Sequence, residues 1–305
     1  MSPKVLVVGY GSIGKRHARI ISELKEVKDL RVVTSQKDIP FNSFASLEEA
    51  IKYNPDYIII SSETSSHLNN LTYVVNNYPC NKILVEKPLF SEYANLDTGS
   101  KSIFVGYNLR FHPLIKALKD LIINQEIKAV YCHCHTYLPD WREKDSYQES
   151  YSSSSERGGG VILDLSHEID LLMWLFGSVG IDYIKYGKFS NLSIQSEDYL
   201  LLSGNLFNQA PIELSLSYFS MVPKRQIHVV TNEQSVLVDL ISNSITIKKN
   251  SSEILKDSLN SFQRDTTYID QHKAILAGES GIACKYSEGL EVNKFIDEIK
   301  SWRRK

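Results

Sequence analysis

The chain has 305 residues, 42% hydrophobic and 23% charged, the balance of an ordinary globular protein with room for two compact domains. Its 34 Lys plus Arg against 36 Asp plus Glu leave a formal charge of −2, so no global basic field draws in nucleic acid or an acidic membrane, and neither is expected as a partner. No apolar run nears the roughly 18 residues of a membrane span, and no signal-peptide pattern precedes the first apolar run. Cys80, Cys132, Cys134 and Cys284 are too sparse for a disulfide framework, so a cytoplasmic protein is expected.

In chain order, residues 4–8 read as a strand, 12–27 as a helix and 30–34 as a second strand. Ser46 with Glu49 three residues on is a capping-box pattern. Strands at 56–61, 82–85 and 103–107, with a helix at 65–76, complete an alternation that predicts buried parallel strands in βαβ units. The segment 91–102 is short for a crossover helix. A helix at 112–124 leaves this sheet, and the pattern then changes to consecutive strands at 127–137, 183–189, 196–207, 212–219, 226–231, 235–240 and 244–249. Strands in series joined by short turns predict one large, mostly antiparallel sheet, with helices at 161–176 and 286–302. The expected division is therefore residues 1–115 and 116–305. The serines of 152–155 read as a flexible loop.

Gly9-Tyr10-Gly11-Ser12-Ile13-Gly14 places GxGxxG between a strand and a helix, the context in which glycines permit a tight turn and close approach to a pyrophosphate at the helix N-terminus. An acidic residue at the end of the second strand would grip the ribose of NAD. Here that position reads Thr34-Ser35-Gln36-Lys37, and Asp29 comes too early. The cofactor expected is NADP or NAD, the hydroxyls and Lys37 favouring the 2′-phosphate of NADP; the alternative for Lys37 is a solvated loop lysine.

Several motifs then follow in order: His17 after the glycines; Ser62-Glu63-Thr64-Ser65-Ser66-His67; Glu86-Lys87-Pro88; Gly106-Tyr107-Asn108-Leu109-Arg110-Phe111-His112-Pro113; and Gly158-Gly159-Gly160 leading to Asp164, His167 and Asp170. Together they resemble the Gfo/Idh/MocA family, glucose–fructose oxidoreductase, inositol dehydrogenase and their relatives, over nearly the whole chain. The resemblance implies an α/β Rossmann domain with a doubly wound parallel sheet, followed by an α+β domain with a large, mostly antiparallel sheet. Two departures stand out: Ser62-Glu63 replaces the family's usual Thr-Pro, and Asp164 stands three rather than four residues before His167.

The resemblance further implies that Gly9–Gly14, Thr34, Ser35, Lys37, Ser62, Thr64, His67, Glu86, Lys87 and Asn108 serve the cofactor, and that Lys87, His167 and Asp164 are catalytic. An ammonium at Lys87 would stabilise developing alkoxide charge. An imidazole at His167 would accept the hydroxyl proton near neutrality, and Asp164 would orient it from the same helical face. His67 and His17 recur in the family motifs, with support of the cofactor loops as the alternative role. Tyr137, Trp141, Arg142, Arg157 and Arg110, with His167, are the expected substrate residues, since aromatic faces stack on sugars and arginines bind carboxylate or phosphate. The bland alternative packs Trp141 beneath its loop and puts the arginines in surface ion pairs. The expected activity is hydride transfer on a hydroxyl or keto group of an acid sugar or nucleotide sugar, in biosynthesis of surface carbohydrate. Redox-assisted elimination or hydrolysis with a recycled cofactor, and a non-catalytic dinucleotide or sugar sensor, are the alternatives. Cys132-His133-Cys134-His135 alternates across a strand and cannot converge on one ion, so no metal is expected. A homodimer or homotetramer is what the family suggests.

Overall fold

The computed structural model describes residues 3–141, 146–249, 253–259, 261–279 and 281–302. The chain divides into two compact units, Met1–Phe111 with Arg264–Lys294, and His112–Gln263 with Phe295–Lys305. The segment Arg264–Lys294 lies in sequence beyond the cut expected near residue 115.

The first unit carries β1 (Lys4–Val8), α1 (Ser12–Glu23), β2 (Asp29–Val33), β3 (Asn42–Phe44), α2 (Leu47–Ala50), β4 (Tyr57–Ile60), α3 (His67–Asn77), β5 (Lys82–Val85) and β6 (Ser102–Val105). Its sheet runs β6-β5-β4-β1-β2-β3, all parallel. The strand order reverses between β1 and β4, the switch point beside which open α/β sheets bind ligands. Val5–Val8 and Tyr57–Ile60 are buried throughout, as strands covered on both faces must be. Ser46 caps α2 as expected, its Oγ accepting from Glu49 N–H at 3.4 Å, but the returning Glu49 carboxylate reaches Ala45 N–H at 3.0 Å. No helix links β5 to β6, in keeping with the trimmed connection.

The second unit begins with α4 (Pro113–Ile122), which Pro113 opens and His112 caps, Nδ1 accepting from Leu114 N–H at 3.2 Å. There follow β7 (Ile127–Tyr137), α5 (Val161–Asp164), α6 (Ser166–Phe176), β8 (Val179–Gly187), β9 (Tyr199–Leu206), β10 (Pro211–Ser217), β11 (Phe219–Thr231), β12 (Gln234–Asp239), β13 (Ser244–Lys249) and β14 (Glu253–Ser258). They form an eight-stranded sheet, β14-β13-β12-β11-β7-β10-β9-β8, antiparallel except for β7 beside β10. Helices α4, α5 and α6 pack on this sheet. Val130, Cys132 and Cys134 alternate inward on β7 while Tyr131 is exposed.

Four elements were not expected from the sequence. They are β3, β14, a helix in the first unit's second segment, α7 (Asp265–Ala277), and the short strand after it, β15 (Cys284–Lys285). β15 adds an antiparallel edge to β6, and α8 (Tyr286–Ser301) follows. The helix expected over 161–176 breaks at Leu165, whose φ of −99° and ψ of 27° interrupt the α geometry. The serine run, expected as a flexible loop, is built into the fold: Ser152 and Ser153 are both buried in the 3-10 turn Tyr151–Ser153, and Ser153 Oγ donates to the carbonyls of Gln148 and Ser150 at 2.6 and 2.8 Å. Among the described residues no helix is long and apolar enough to cross a membrane.

Candidate active site

The glycine turn leaves β1 at Gly9, with φ at 94°, and a Cβ there would lie 2.7 Å from the backbone N of Ser62. A Cβ at Gly14 would sit 2.2 Å from the Gly9 carbonyl, so α1 reaches its closest approach to the loop only with glycine. Gly11 differs: a Cβ there meets nothing within 4 Å. It is the N-cap of α1, no side chain caps it, and the first turn holds no acidic residue. Exposed Ser12 and half-buried Ile13 follow it. Free N–H groups, a positive dipole end and open space at Gly11 fit a pyrophosphate. Buried Tyr10 packs edge-on to Phe41 at 6.2 Å, which makes it a brace of the turn.

Two ties to this turn were missed from the sequence. Ser61 Oγ donates to the carbonyls of Val8 and Gly9 at 3.1 and 3.2 Å. Gln36 Nε2 donates to the Tyr10 carbonyl at 3.0 Å, and Gln36 N–H to Thr34 Oγ1 at 3.1 Å. The loop after β2 is thereby fixed to the loop after β1, with Ser35 and Lys37 exposed.

At the ends of β4, β5 and β6 the remaining expected cofactor residues divide into open and closed ones. Thr64 is buried in a 3-10 turn, and Ser62 Oγ accepts from Asn70 at 2.9 Å. His67 lies wholly inside, Nδ1 3.0 Å from the Pro88 carbonyl and Nε2 3.1 Å from that of Ser62. It therefore braces the two loops instead of facing a ligand. Asn108 is likewise buried and donates to Thr267 Oγ1 at 2.7 Å. Lys87 is half-buried at the end of β5, before a cis bond to Pro88, and its N–H donates to Glu86 Oε2 at 3.1 Å. Glu86 is buried, its other oxygen 2.9 Å from His17 Nε2. Arg110, expected at the substrate, is 2% exposed and donates to Glu288 at 2.8 Å. A guanidinium so deeply buried needs a carboxylate partner, and here that partner comes from α8 of the same unit.

In the second unit His167 is half-buried, while every other residue from Val161 through Asp170 is buried. The break at Leu165 takes Asp164 off the helix that carries His167, so the two do not share one helical face as expected. Asp164 Oδ2 instead accepts from Tyr218 OH at 2.5 Å. Trp141, 39% exposed, meets the Tyr218 ring edge-on at 5.4 Å and donates from Nε1 to Thr136 at 2.7 Å. The structure thus brings Trp141, Tyr218 and Asp164 together. Tyr218 was legible only as one of the alternating apolar positions of β10 and its exit. Tyr137 ends β7 opposite Phe219, and Arg157 donates to the Glu149 carbonyl at 3.0 Å. Arg142 lies outside the described residues. Buried Glu168 accepts from Arg225 at 2.7 Å, a pair the sequence gave no sign of.

Among the described residues no group of three or more His, Cys, Asp or Glu is arranged to hold a metal ion. His133 and His135 reach Glu213 and Ser215, while Cys132 and Cys134 are buried on the opposite face of β7. Burial holds His112 down at about 4, and burial with the neighbouring His133 does the same for His135. The unfolded chain takes up these protons near the ordinary value of 6.5 and the folded one only near 4, so stability is lost as pH falls through that interval. The urea midpoint should therefore drop between pH 7 and pH 5. A midpoint that rises or stays level over that range would contradict the neutral, buried assignment.

Two family models match: "Oxidoreductase family, NAD-binding Rossmann fold" over residues 3–101, and "Oxidoreductase family, C-terminal alpha/beta domain" over residues 119–231. The chain belongs to the Gfo/Idh/MocA oxidoreductase family, and its first unit carries the family's NAD-binding Rossmann domain. It is 24% identical over 244 residues to glucose-6-phosphate 3-dehydrogenase of Bacillus subtilis (strain 168), covering 72% of this chain and 68% of that one. Among solved structures, UDP-N-acetylglucosamine 3-dehydrogenase GnnA from Acidithiobacillus ferrooxidans is similar at 17% identity and a TM-score of 0.75, covering 98% and 97% of the two chains. The WlbA dehydrogenase from Bordetella pertussis, in complex with NADH and UDP-GlcNAcA, is similar at 18% identity and a TM-score of 0.79, covering 97% and 94%.

Proposed function

We propose that this oxidoreductase acts on a hydroxyl or keto group of a sugar derivative bearing negative charge, an acid sugar or a nucleotide sugar. The observation that carries the reading is the C-terminal edge of the parallel sheet, where an uncapped helix N-terminus stands open at Gly11 and Lys87 follows β5 by two residues. Gly9–Gly14, Thr34, Ser35, Lys37, Ser62 and Lys87 would hold the dinucleotide, with Gln36, Ser61 and His67 fixing their loops. When bound there, a nicotinamide cofactor supplies hydride transfer to or from a carbon of the substrate. The Lys87 ammonium hydrogen-bonds the substrate oxygen and stabilises its negative charge. The His167 imidazole takes the hydroxyl proton or returns it. Trp141, held by Tyr218, offers a ring for a sugar face, and Arg157 and Arg142 offer cations for its acidic part. Sugar substrates are supported by the activities for which the relatives are named, one on a sugar phosphate and one on a nucleotide sugar.

NADP is the preferred cofactor in this reading, because Lys37 and Ser35 are exposed beside Thr34 after the end of β2 and no position from Thr34 to Lys37 is acidic. The molecule is proposed to be cytoplasmic and to assemble as a homodimer or homotetramer. Native mass spectrometry with equal additions of NADH and NADPH tests the cofactor preference and the assembly together. The expected spectrum shows more than one subunit and an NADPH adduct exceeding the NADH adduct. Lys37→Glu should reverse that order, by like-charge repulsion of the 2′-phosphate. No adduct with either dinucleotide would overturn the proposed site.

A further inference from the structure

The polar interior of the first unit contains a chain of four side chains that none of the sequence motifs joins. Glu86 Oε1 lies 2.9 Å from His17 Nε2, His17 Nδ1 lies 2.9 Å from His272 Nε2, and His272 Nδ1 lies 3.0 Å from Tyr57 OH. His17, His272 and Tyr57 are fully buried and Glu86 nearly so. The four come from α1, α7, β4 and the end of β5.

Donor and acceptor counting leaves one neutral arrangement. An ionised carboxylate only accepts, so His17 must carry its proton on Nε2. A neutral imidazole then accepts at Nδ1, which requires the proton of His272 on Nε2 as well. His272 Nδ1 is left to accept, and the Tyr57 hydroxyl donates to it. Every polar atom in the row is used, and all the donors point toward Glu86. An imidazolium at His17 would reverse His272, bury a second charge, and take from the Tyr57 hydroxyl the nitrogen it donates to. Burial pushes His272 well below its ordinary value and Tyr57 well above its own, both in favour of the neutral row.

We propose that Tyr57, His272 and His17 form a one-way hydrogen-bond wire that positions the Glu86 carboxylate, and that His272 is thereby a positioning residue for Lys87. The link to Lys87 is direct, since Glu86 Oε2 accepts its N–H at 3.1 Å. His17 stands one turn beyond Gly14, so the wire also joins the phosphate-binding helix to the Lys87 loop. α7 anchors the far end, where Thr267 holds Asn108 and Gln271 Nε2 donates to the Val105 carbonyl at 3.4 Å. The positioning role rests on the function proposed above; the wire itself does not.

Two-bond proton–nitrogen spectra of the cofactor-free protein, with nitrogen-15 histidine, read the ring tautomers directly. His17 and His272 are assigned by their loss in H17Q and H272Q. The expected result is Nε2–H on both rings. Nδ1–H on either ring, or two protons on His17, overturns the wire without need of a variant. H272L removes the donor to His17, and the Lys87 amide resonance should shift. H272Q restores a donor at that place and an acceptor for Tyr57, and the resonance should stay at its wild-type position. Turnover is measured with glucose 6-phosphate and UDP-N-acetylglucosamine. H272L should lose about tenfold to a hundredfold in kcat with KM for the dinucleotide little changed, and H272Q should recover it. Equal kcat in H272L and wild type overturns the positioning role. If the wild type turns over neither sugar, the proposed substrate class is what fails, and the tautomers and the Lys87 amide decide the wire alone.

Discussion

Lys87→Ala should lower kcat by about 10²- to 10⁴-fold while the dissociation constant of the dinucleotide changes little, and His167→Ala should do the same. The expectation follows from where the two side chains stand. Lys87 lies just past the end of a central parallel strand, half-buried, with its backbone held by a carboxylate that is itself fixed from the core. His167 is the one partly accessible side chain at the start of an otherwise buried helix segment. Neither belongs to the glycine turn that would bind the pyrophosphate, so losses should fall on the chemical step and leave binding intact. Fluorescence titration with NADH and NADPH separates the two quantities. Unchanged turnover in both variants would remove the assigned chemistry. A rise in the dissociation constant equal to the fall in kcat would instead confine Lys87 to holding the dinucleotide and remove its part in the chemical step.

Gly11→Ala and Gly14→Ala should separate binding from folding. At Gly14 the new methyl would meet the Gly9 carbonyl at 2.2 Å, and backbone on both sides must move. The cost should be about 1–3 kcal/mol or more in urea unfolding, with the dinucleotide site lost as a consequence. At Gly11 the methyl meets no protein atom within 4 Å, so stability should stay within about 0.5 kcal/mol. That methyl nevertheless fills the space in front of the free N–H groups of α1. Dinucleotide affinity should fall at least about tenfold in a protein as stable as the parent. Full affinity in Gly11→Ala would place the phosphate elsewhere.

The sequence was most legible where burial and periodicity agree. The strand Tyr57–Ile60 is apolar at every position because both faces are covered, and β7 alternates because one face packs on helices. β3 and β14 escaped notice for the opposite reason: Asn42–Phe44 and Glu253–Ser258 are short edge strands, and most of each is polar. α7 was missed because the face it buries includes Thr267, Gln271 and His272, all engaged in polar contacts, so hydrophobic spacing does not trace it. In the candidate site, Gly9–Gly14, Lys87 and His167 could be read from spacing and resemblance. Arg110 looked like a ligand residue because sequence alone does not display Glu288, which binds it. The roles of Tyr218 and His272 were hidden for the same reason: each is defined by a partner far away in the chain.

The discontinuity of the first unit has a consequence for synthesis on the ribosome. Ile275 and Ala283 pack with Val5, Val7 and Tyr57, and Cys284–Lys285 closes the edge of β6. None of these pieces exists when residue 111 emerges. At ordinary elongation rates the nascent sheet waits roughly ten seconds or more for them, with apolar surface and a strand edge uncovered. Residues 112–263 can begin to fold during that interval, although the last segment of their unit, Phe295–Lys305, is made later still. The N-terminal unit, first to be made, therefore waits through the whole of residues 112–263 for its own second segment, and this interval is where a chaperone has most to protect.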